Sequence, residues 1–98
     1  MINIKNEMTD DLFKAILTLE TVEECYKFFE DVCTIKEIKA IAQRLEVAKM
    51  LKNKQLYSKI VADTGASTAT ISRVNRSLMY GSEGYDIVFS RLDMEENK

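Results

Sequence analysis

Residues 58–78, SKIVADTGASTATISRVNRSL, carry the pattern that decides the fold. Gly65 interrupts the stretch, and helices commonly end at a left-handed residue, a conformation that glycine adopts freely. Two positions later, Ser67 can begin a new helix because its hydroxyl accepts a free backbone N–H. Apolar residues then recur with helical spacing and predict one buried face, formed by Ile71, Val74 and Leu78. The stretch is therefore predicted to fold as a helix, a tight turn and a second helix.

The opposite face of the second helix consists of small, hydroxylated or basic side chains, namely Ala69, Ser72, Arg73 and Arg76. Small side chains let a helix sit deep in the DNA major groove, where helix-turn-helix proteins place their second helix. We therefore expect a DNA-binding helix-turn-helix over about residues 57–78. The alternative is a plain helical hairpin whose charged face is only solvated.

The composition indicates a single all-α domain over residues 1–98. The chain has no proline, three glycines and 46% hydrophobic residues, which is enough apolar material for a modest core. No apolar run approaches the roughly 20 residues that a membrane span requires. The N-terminal sequence also lacks the basic-then-apolar order of a secretion signal. We therefore expect a cytoplasmic protein with no membrane partner.

Charge is unevenly distributed along the chain, although the formal net charge is only −2. Residues 36–76 contain nine basic and three acidic side chains, whereas both flanking segments are acidic. This basic block coincides with the predicted helix-turn-helix and the helix before it. Basic stripes are the electrostatic footprint of phosphate contact. A solvated helix face would account for part of the block, notably Lys39, Lys49 and Lys52.

Two capping boxes mark helix starts upstream of the helix-turn-helix. Thr21 with Glu24, and Thr34 with Glu37, place a hydroxyl three residues before a carboxylate, so that the two side chains can satisfy free backbone N–H groups. The helix after Thr21 is expected to bury an apolar stripe made of Val22, Cys25, Tyr26, Phe29 and Val32.

The helix after Thr34 is expected to run to about Lys52, with a wide apolar stripe between Ile38 and Leu51. Such a wide stripe indicates more than one packing partner. This helix is then either the centre of a monomer or shared between two chains. One further amphipathic helix is expected before Thr21, and another after residues 79–85. Together with the helices after Thr21 and Thr34 and the two of the helix-turn-helix, this makes six predicted helices. Residues 93–98, DMEENK, are expected to form a frayed polar tail.

The residues that most catalytic and metal sites need are missing from the sequence. The chain has no histidine, which excludes catalytic triads and imidazole acid–base chemistry. It also lacks a phosphate-binding glycine loop and a dinucleotide fingerprint. Cys25 and Cys33 stand eight residues apart, do not fit a zinc spacing and are expected to be buried by packing. We therefore expect no enzyme activity, no metal and no cofactor.

Three segments resemble the Trp repressor superfamily, and with them the whole chain resembles its YerC/YecD branch. The segments are TIKEIKAIAQRLEVAKML from Thr34, TGASTATISRVNRSL from Thr64 and YGSEGYDIVFSRL from Tyr80. The resemblance implies an all-helical, intertwined homodimer whose two recognition helices enter successive major grooves. It also implies transcriptional regulation, usually repression.

The resemblance extends to residues that bind an effector. In the Trp repressor a threonine and two arginines help to bind the corepressor tryptophan, and the aligned residues here are Thr34, Arg44 and Arg73. Arginine forks hold carboxylates, and guanidinium planes stack on aromatic rings. The glycine that follows the second arginine in the Trp repressor is Val74 here, and its branched side chain would occupy space near the ring. Plainer roles stay open: a helix cap for Thr34, an ion pair for Arg44 and DNA contact for Arg73.

The leading interpretation is a dimeric, sequence-specific regulator of transcription that binds double-stranded DNA, and we expect it to be a repressor. Base contact is expected from the exposed face of the second helix, and phosphate contact from two lysines and the helix start. The expected DNA-binding residues are Lys54, Lys59, Ser67, Thr68, Ala69, Thr70, Ser72, Arg73 and Arg76. Two alternatives stay open. One is a repressor that senses tryptophan or another carboxylate, and the other is a helix-turn-helix protein-interaction module that does not read DNA.

Overall fold

The computed structural model describes residues 4–96, with side chains described up to residue 93. Within that range the chain is all-α, as predicted, and forms six helices. Their bounds are α1 Glu7–Ile16, α2 Val22–Val32, α3 Ile35–Lys52, α4 Tyr57–Thr64, α5 Thr68–Tyr80 and α6 Gly84–Glu96. The predicted helix-turn-helix therefore corresponds to α4, the turn at residues 65–67 and α5.

Side-chain caps explain where the first three helices begin. Asn6 caps α1 by accepting the Thr9 N–H at 2.9 Å, and Thr21 caps α2 by accepting the Glu24 N–H at 3.1 Å. At the start of α3 the capping box is reciprocal. The Glu37 N–H donates to the Thr34 hydroxyl at 3.1 Å, and the Thr34 N–H donates to the Glu37 carboxylate at 2.8 Å. Both predicted capping positions are confirmed.

The C-terminal end of α6 differs from the sequence prediction. The helix continues to Glu96, so the expectation of a frayed tail is wrong for residues 93–96, while residues 97–98 lie outside the described part. The reason is local, because nothing between Tyr85 and Glu96 is a proline or a glycine that would end the helix. Polarity alone indicated a tail, but methionine and glutamate are good helix formers.

The chain divides into two compact units, Met1–Ile38 and Lys39–Lys98. The second unit has its own hydrophobic core, which draws residues from α3, α4 and α5 and from the turn between the last two. Its buried members are Val47, Ala48, Met50, Ile60, Ala66, Ile71 and Val74. Leu51, Leu78, Tyr85 and Phe89 pack against this cluster and are partly buried. The core therefore holds the two helices of the helix-turn-helix and leaves their outer faces free.

The first unit lacks a comparable core in the described part of the chain. Neither α1 nor α2 contains a buried residue. The predicted burial of the α2 stripe is wrong for the single chain, since Val22 is 74% exposed, Tyr26 63% and Val32 55%. Cys25 and Cys33 are free thiols of intermediate exposure. The stripe has the predicted helical spacing, but the single chain does not cover it.

Candidate nucleic-acid interface

Gly65 ends α4 in the left-handed conformation that the sequence predicts, with φ 71°. Its N–H donates to the Val61 carbonyl oxygen at 2.9 Å, which completes the last turn of the helix. Thr64 strengthens the same turn. Its hydroxyl donates to the Ile60 carbonyl at 2.7 Å and accepts the Ala66 N–H at 3.1 Å. The turn is therefore fixed by backbone conformation and by local hydrogen bonds together.

A longer-range hydrogen bond ties this turn to α3. The Gln43 side-chain amide donates to the Thr64 carbonyl oxygen at 3.1 Å, in a partly buried position 21 residues away along the chain. Sequence analysis did not identify Gln43, because its partner is a backbone carbonyl that no residue pattern marks. The contact helps to set the position of α4 and of the turn that leads into α5.

The N-terminus of α5 is capped as predicted. The Ser67 hydroxyl accepts the Thr70 N–H at 3.1 Å, and it also donates to the Thr70 hydroxyl at 3.1 Å. Ile71 and Val74 are buried, and Leu78 packs against the core from a partly buried position. Both the cap and the buried face of this helix are therefore confirmed.

The outward surface of α5, which we call the recognition face, consists of Thr68, Ala69, Ser72, Arg73 and Arg76. All five residues are exposed, in agreement with the predicted face. Neither arginine forms an ion pair within the described part of the chain. Thr70 differs, because it is half-buried and its hydroxyl is bonded to the Ser67 cap. Thr70 is thus less available for contact than its neighbours on the helix.

The two lysines predicted to hold phosphates have different surroundings. The Lys59 ammonium forms an ion pair with the Asp63 carboxylate at 3.0 Å, one helical turn away on α4. The spacing of four residues could have revealed this pair from the sequence. The Lys54 side chain is exposed, and its ammonium group forms no hydrogen bond or ion pair among the residues that the structure describes. Its charge is therefore available to an external anion, whereas that of Lys59 is partly neutralised.

The three residues aligned with an effector site belong to different units. Thr34 lies in the first unit, where its hydroxyl and N–H are both used by the capping box. Arg44 on α3 is half-buried and Arg73 on α5 is exposed, and both belong to the second unit. No ion pair of Arg44 occurs among the described residues. Val74 is only 1% exposed and packs in the core of the second unit.

A hollow of about 340 Å³ lies in the second unit between α3 and α6. Leu45, Phe89 and Leu92 supply its apolar lining, and Lys49 and Lys52 lie at its polar part. Neither Arg44 nor Arg73 lines it. Lys52 is not merely solvated, because its ammonium pairs with Asp86 at 2.5 Å and lies 5.9 Å from the centre of the Phe89 ring. These contacts hold α6 against the end of α3.

None of the helices in residues 4–96 combines the length and the apolar character that a membrane crossing demands. Over the same residues, no three His, Cys, Asp or Glu side chains come together in a way that could hold a metal ion.

Residues 7–93 match the family model described as Trp repressor protein. The uncharacterized protein YerC of Bacillus subtilis (strain 168) is 50% identical over 95 residues, which cover 97% of this chain and 91% of that protein. A crystal structure from Staphylococcus aureus, provisionally assigned as a Trp repressor, has a TM-score of 0.89 and 51% identity over 92% of this chain and 90% of that one. A TrpR-like protein from Eubacterium eligens ATCC 27750 has a TM-score of 0.90 and 59% identity, with coverage of 93% and 94%.

Proposed function

Since the chain belongs to the Trp repressor protein family, we propose that it is a transcriptional repressor that reads the DNA major groove as a homodimer. The family is regulatory and not enzymatic. The observation that carries the proposal is the recognition face, whose exposed side chains include two arginines without an ion pair in the described chain. Because a repressor acts at the chromosome, we also propose that the protein is located in the cytoplasm.

The side chains of the recognition face suit base contact. Arg76 is long enough to donate to guanine or to a phosphate, and the methyl groups of Thr68 and Ala69 can contact thymine. Ser72 can donate or accept a hydrogen bond with any base edge. Because most of these side chains are short, bridging water molecules would carry part of the contact, a mode for which the Trp repressor is the standard example.

Phosphate contacts would hold the helix-turn-helix in register on the duplex. The start of α5 at Ser67 can receive a phosphate because free N–H groups and the helix dipole favour an anion there. Arg73 can contribute either to a phosphate or to a base edge. Lys54 and Lys59 would contact the backbone beside α4, although Lys59 must share its charge with Asp63. Such contacts position a protein on DNA without reading its sequence.

The first experiment is selection of bound DNA from a random pool, followed by titration of the selected site at several salt concentrations. Arg76→Ala should weaken specific binding, whereas Arg91→Ala on α6 and Lys5→Ala before α1 should change it little. The plot of log affinity against log salt should fall with a slope of about −0.9 per phosphate contact. Equal losses from all three variants, or affinity that does not depend on salt, would contradict the proposal. If no DNA sequence is enriched, and the amount of DNA that the protein retains does not depend on salt, a protein-interaction module is favoured instead.

We also propose that L-tryptophan is not needed for DNA binding. The support is Val74, which fills a core position where the Trp repressor has glycine and no side chain. A small carboxylate can still be held by Arg44 or Arg73. The test is calorimetric titration of L-tryptophan into the wild type, with DNA titrations in its presence and absence. Micromolar binding with a severalfold rise in DNA affinity would make the protein a tryptophan-sensing repressor.

A further inference from the structure

We propose that Lys54 keeps a strained backbone conformation because its ammonium group contacts a DNA phosphate, an inference that rests on the proposed DNA-binding function. Lys54 has φ 58°, in the left-handed region. L-residues with a side chain rarely adopt this region, because Cβ approaches the following carbonyl oxygen too closely. A strained residue that persists indicates either compensation within the fold or a function outside it.

The hydrogen bonds at the end of α3 enforce this conformation. The Lys54 N–H donates to the Leu51 carbonyl oxygen at 3.0 Å, and the Gln55 N–H donates to the Met50 carbonyl oxygen at 3.1 Å. This pair of bonds is the Schellman arrangement, which satisfies the last carbonyl groups of a helix and requires a left-handed residue at the position of Lys54. Glycine is the residue that normally occupies it.

The same chain uses glycine at the other left-handed helix end. The residue that caps the end of α4 is Gly65, with φ 71°, whereas Lys54, two residues after the last residue of α3, adopts nearly the same conformation. The two ends make the same backbone demand, so the backbone does not explain the lysine at the first one. Lys54 therefore places a cationic side chain where glycine would satisfy the backbone.

Nothing in the described chain uses the Lys54 side chain. Its ammonium has no hydrogen bond or ion pair there, whereas Lys52 pairs with Asp86 and Lys59 with Asp63. Lys54 also precedes the first residue of α4 by only three positions. In helix-turn-helix proteins the first helix crosses the DNA backbone, and Lys54 lies just before that helix here. An exposed, unneutralised ammonium at that place has a phosphate as its natural partner.

Four variants separate strain from charge. Lys54→Gly removes both the ammonium and the strain, Lys54→Ala removes only the ammonium, and Lys54→Arg keeps a positive charge. Glu83→Gly is the matched control, since Glu83 is the second non-glycine residue with positive φ among the described residues (φ 66°) and lies outside the proposed interface. Each variant is measured for thermal melting without DNA, at one protein concentration, and for binding to the selected DNA site at several salt concentrations.

The expected results differ between the two measurements. Lys54→Gly and Glu83→Gly should melt higher than the wild type, by about 4 °C for a domain of this size, whereas Lys54→Ala should not. Lys54→Gly and Lys54→Ala should both lose DNA affinity, and the salt slope should shrink by about 0.9 for each lost phosphate contact, or about 1.8 in a dimer. Lys54→Arg and Glu83→Gly should bind DNA at least as well as the wild type.

Two outcomes would overturn this inference alone. One is a wild type that binds DNA while Lys54→Gly and Lys54→Ala bind it equally well and with the same salt slope. The other is a melting temperature of Lys54→Gly no higher than that of Lys54→Ala. A wild type that binds no DNA at all would instead defeat the proposed function, and this inference with it.

Discussion

Gly65 is constrained by backbone conformation and not by space. A Cβ atom added there would meet no heavy atom within 4 Å, yet φ is +71°. Gly65→Ala should therefore lower the free energy of unfolding by about 1–2 kcal/mol through the left-handed backbone alone, and Gly65→Val should lower it further because valine is β-branched. Gly65→Asn is the control, since asparagine tolerates this conformation better. Chemical denaturation measures the series. An unchanged midpoint for Gly65→Val would show that the turn does not need a left-handed residue.

Gly81 and Gly84 lie three residues apart but make opposite demands. At Gly81, the residue that ends α5, an added Cβ would lie 2.4 Å from the Ser77 carbonyl oxygen, whereas at Gly84 it would meet nothing within 4 Å. Gly81→Ala should therefore destabilise the fold, because the helix end must shift. Gly84→Ala should be neutral or stabilising by up to about 1 kcal/mol, since alanine is the better residue at the first position of α6. Gly81→Ala should melt below the wild type and Gly84→Ala at or above it, and equal melting of the two variants would refute this interpretation.

The residues that sequence reasoning found are those whose chemistry matches their conformation. Gly65 and Ser67 were predictable because glycine and serine are the usual residues at a helix end and a helix start. Lys54 was predicted only as a charge, because nothing in its chemistry marks a left-handed position. The steric need for Gly81 was also hidden, since it depends on where one carbonyl oxygen lies and not on a residue pattern.

The start of α3 gives a stability contribution that depends on pH. Hydrogen bonds from the Thr34 backbone N–H and then from its side chain hold the pKa of Glu37 below its usual value. A carboxyl group whose pKa is lower in the folded state stabilises the fold above its unfolded pKa, and this stabilisation is lost as pH falls through the folded pKa. Glu37→Gln should therefore lower the urea concentration at the midpoint of unfolding at about pH 7, which lies well above the usual pKa of glutamate. In acid, the same substitution should lower this midpoint less.

Glu46 provides the control for this measurement, because it is an exposed glutamate on the same helix and takes part in no capping box. Glu46→Gln should leave the difference from the wild type nearly the same at neutral and acidic pH. If the loss caused by Glu37→Gln did not shrink in acid, the carboxylate would not be the group that stabilises the start of α3.

At the scale of helices, local signals predicted most of the architecture. The caps at Thr21, Thr34 and Ser67 placed three helix starts, and the apolar spacing of α5 gave its buried face. What local signals could not give were contacts between distant elements. Gln43 reaches the Thr64 carbonyl across 21 residues, and Lys52 reaches Asp86 across 34. Such contacts depend on tertiary packing, which leaves no periodicity in the sequence.

At the scale of the molecule, the two units differ in how well one chain buries its apolar residues. The second unit encloses a core, whereas α1 and α2 bury no residue, although both were predicted from apolar stripes. The sequence predicted these faces because helical periodicity is local. It could not show what covers them, because the width of the α3 stripe allowed either a monomer core or a shared helix. Large exposed apolar patches on a soluble protein commonly mark interaction sites, and the proposed homodimer supplies such a partner.

We therefore expect the protein to have twice the 11.3 kDa chain mass at micromolar concentration, without a well-folded monomer. Tyr26→Glu tests the face of α2, since Tyr26 is 63% exposed in the single chain and a charge there would cost little unless a second chain covers it. Tyr80→Glu is the matched control at the end of α5, where tyrosine is 79% exposed. Sedimentation equilibrium with circular dichroism should show that only Tyr26→Glu weakens the dimer and that helicity falls with it. A wild-type monomer of native helicity, or equal behaviour of the two variants, would contradict a dimer built on α2.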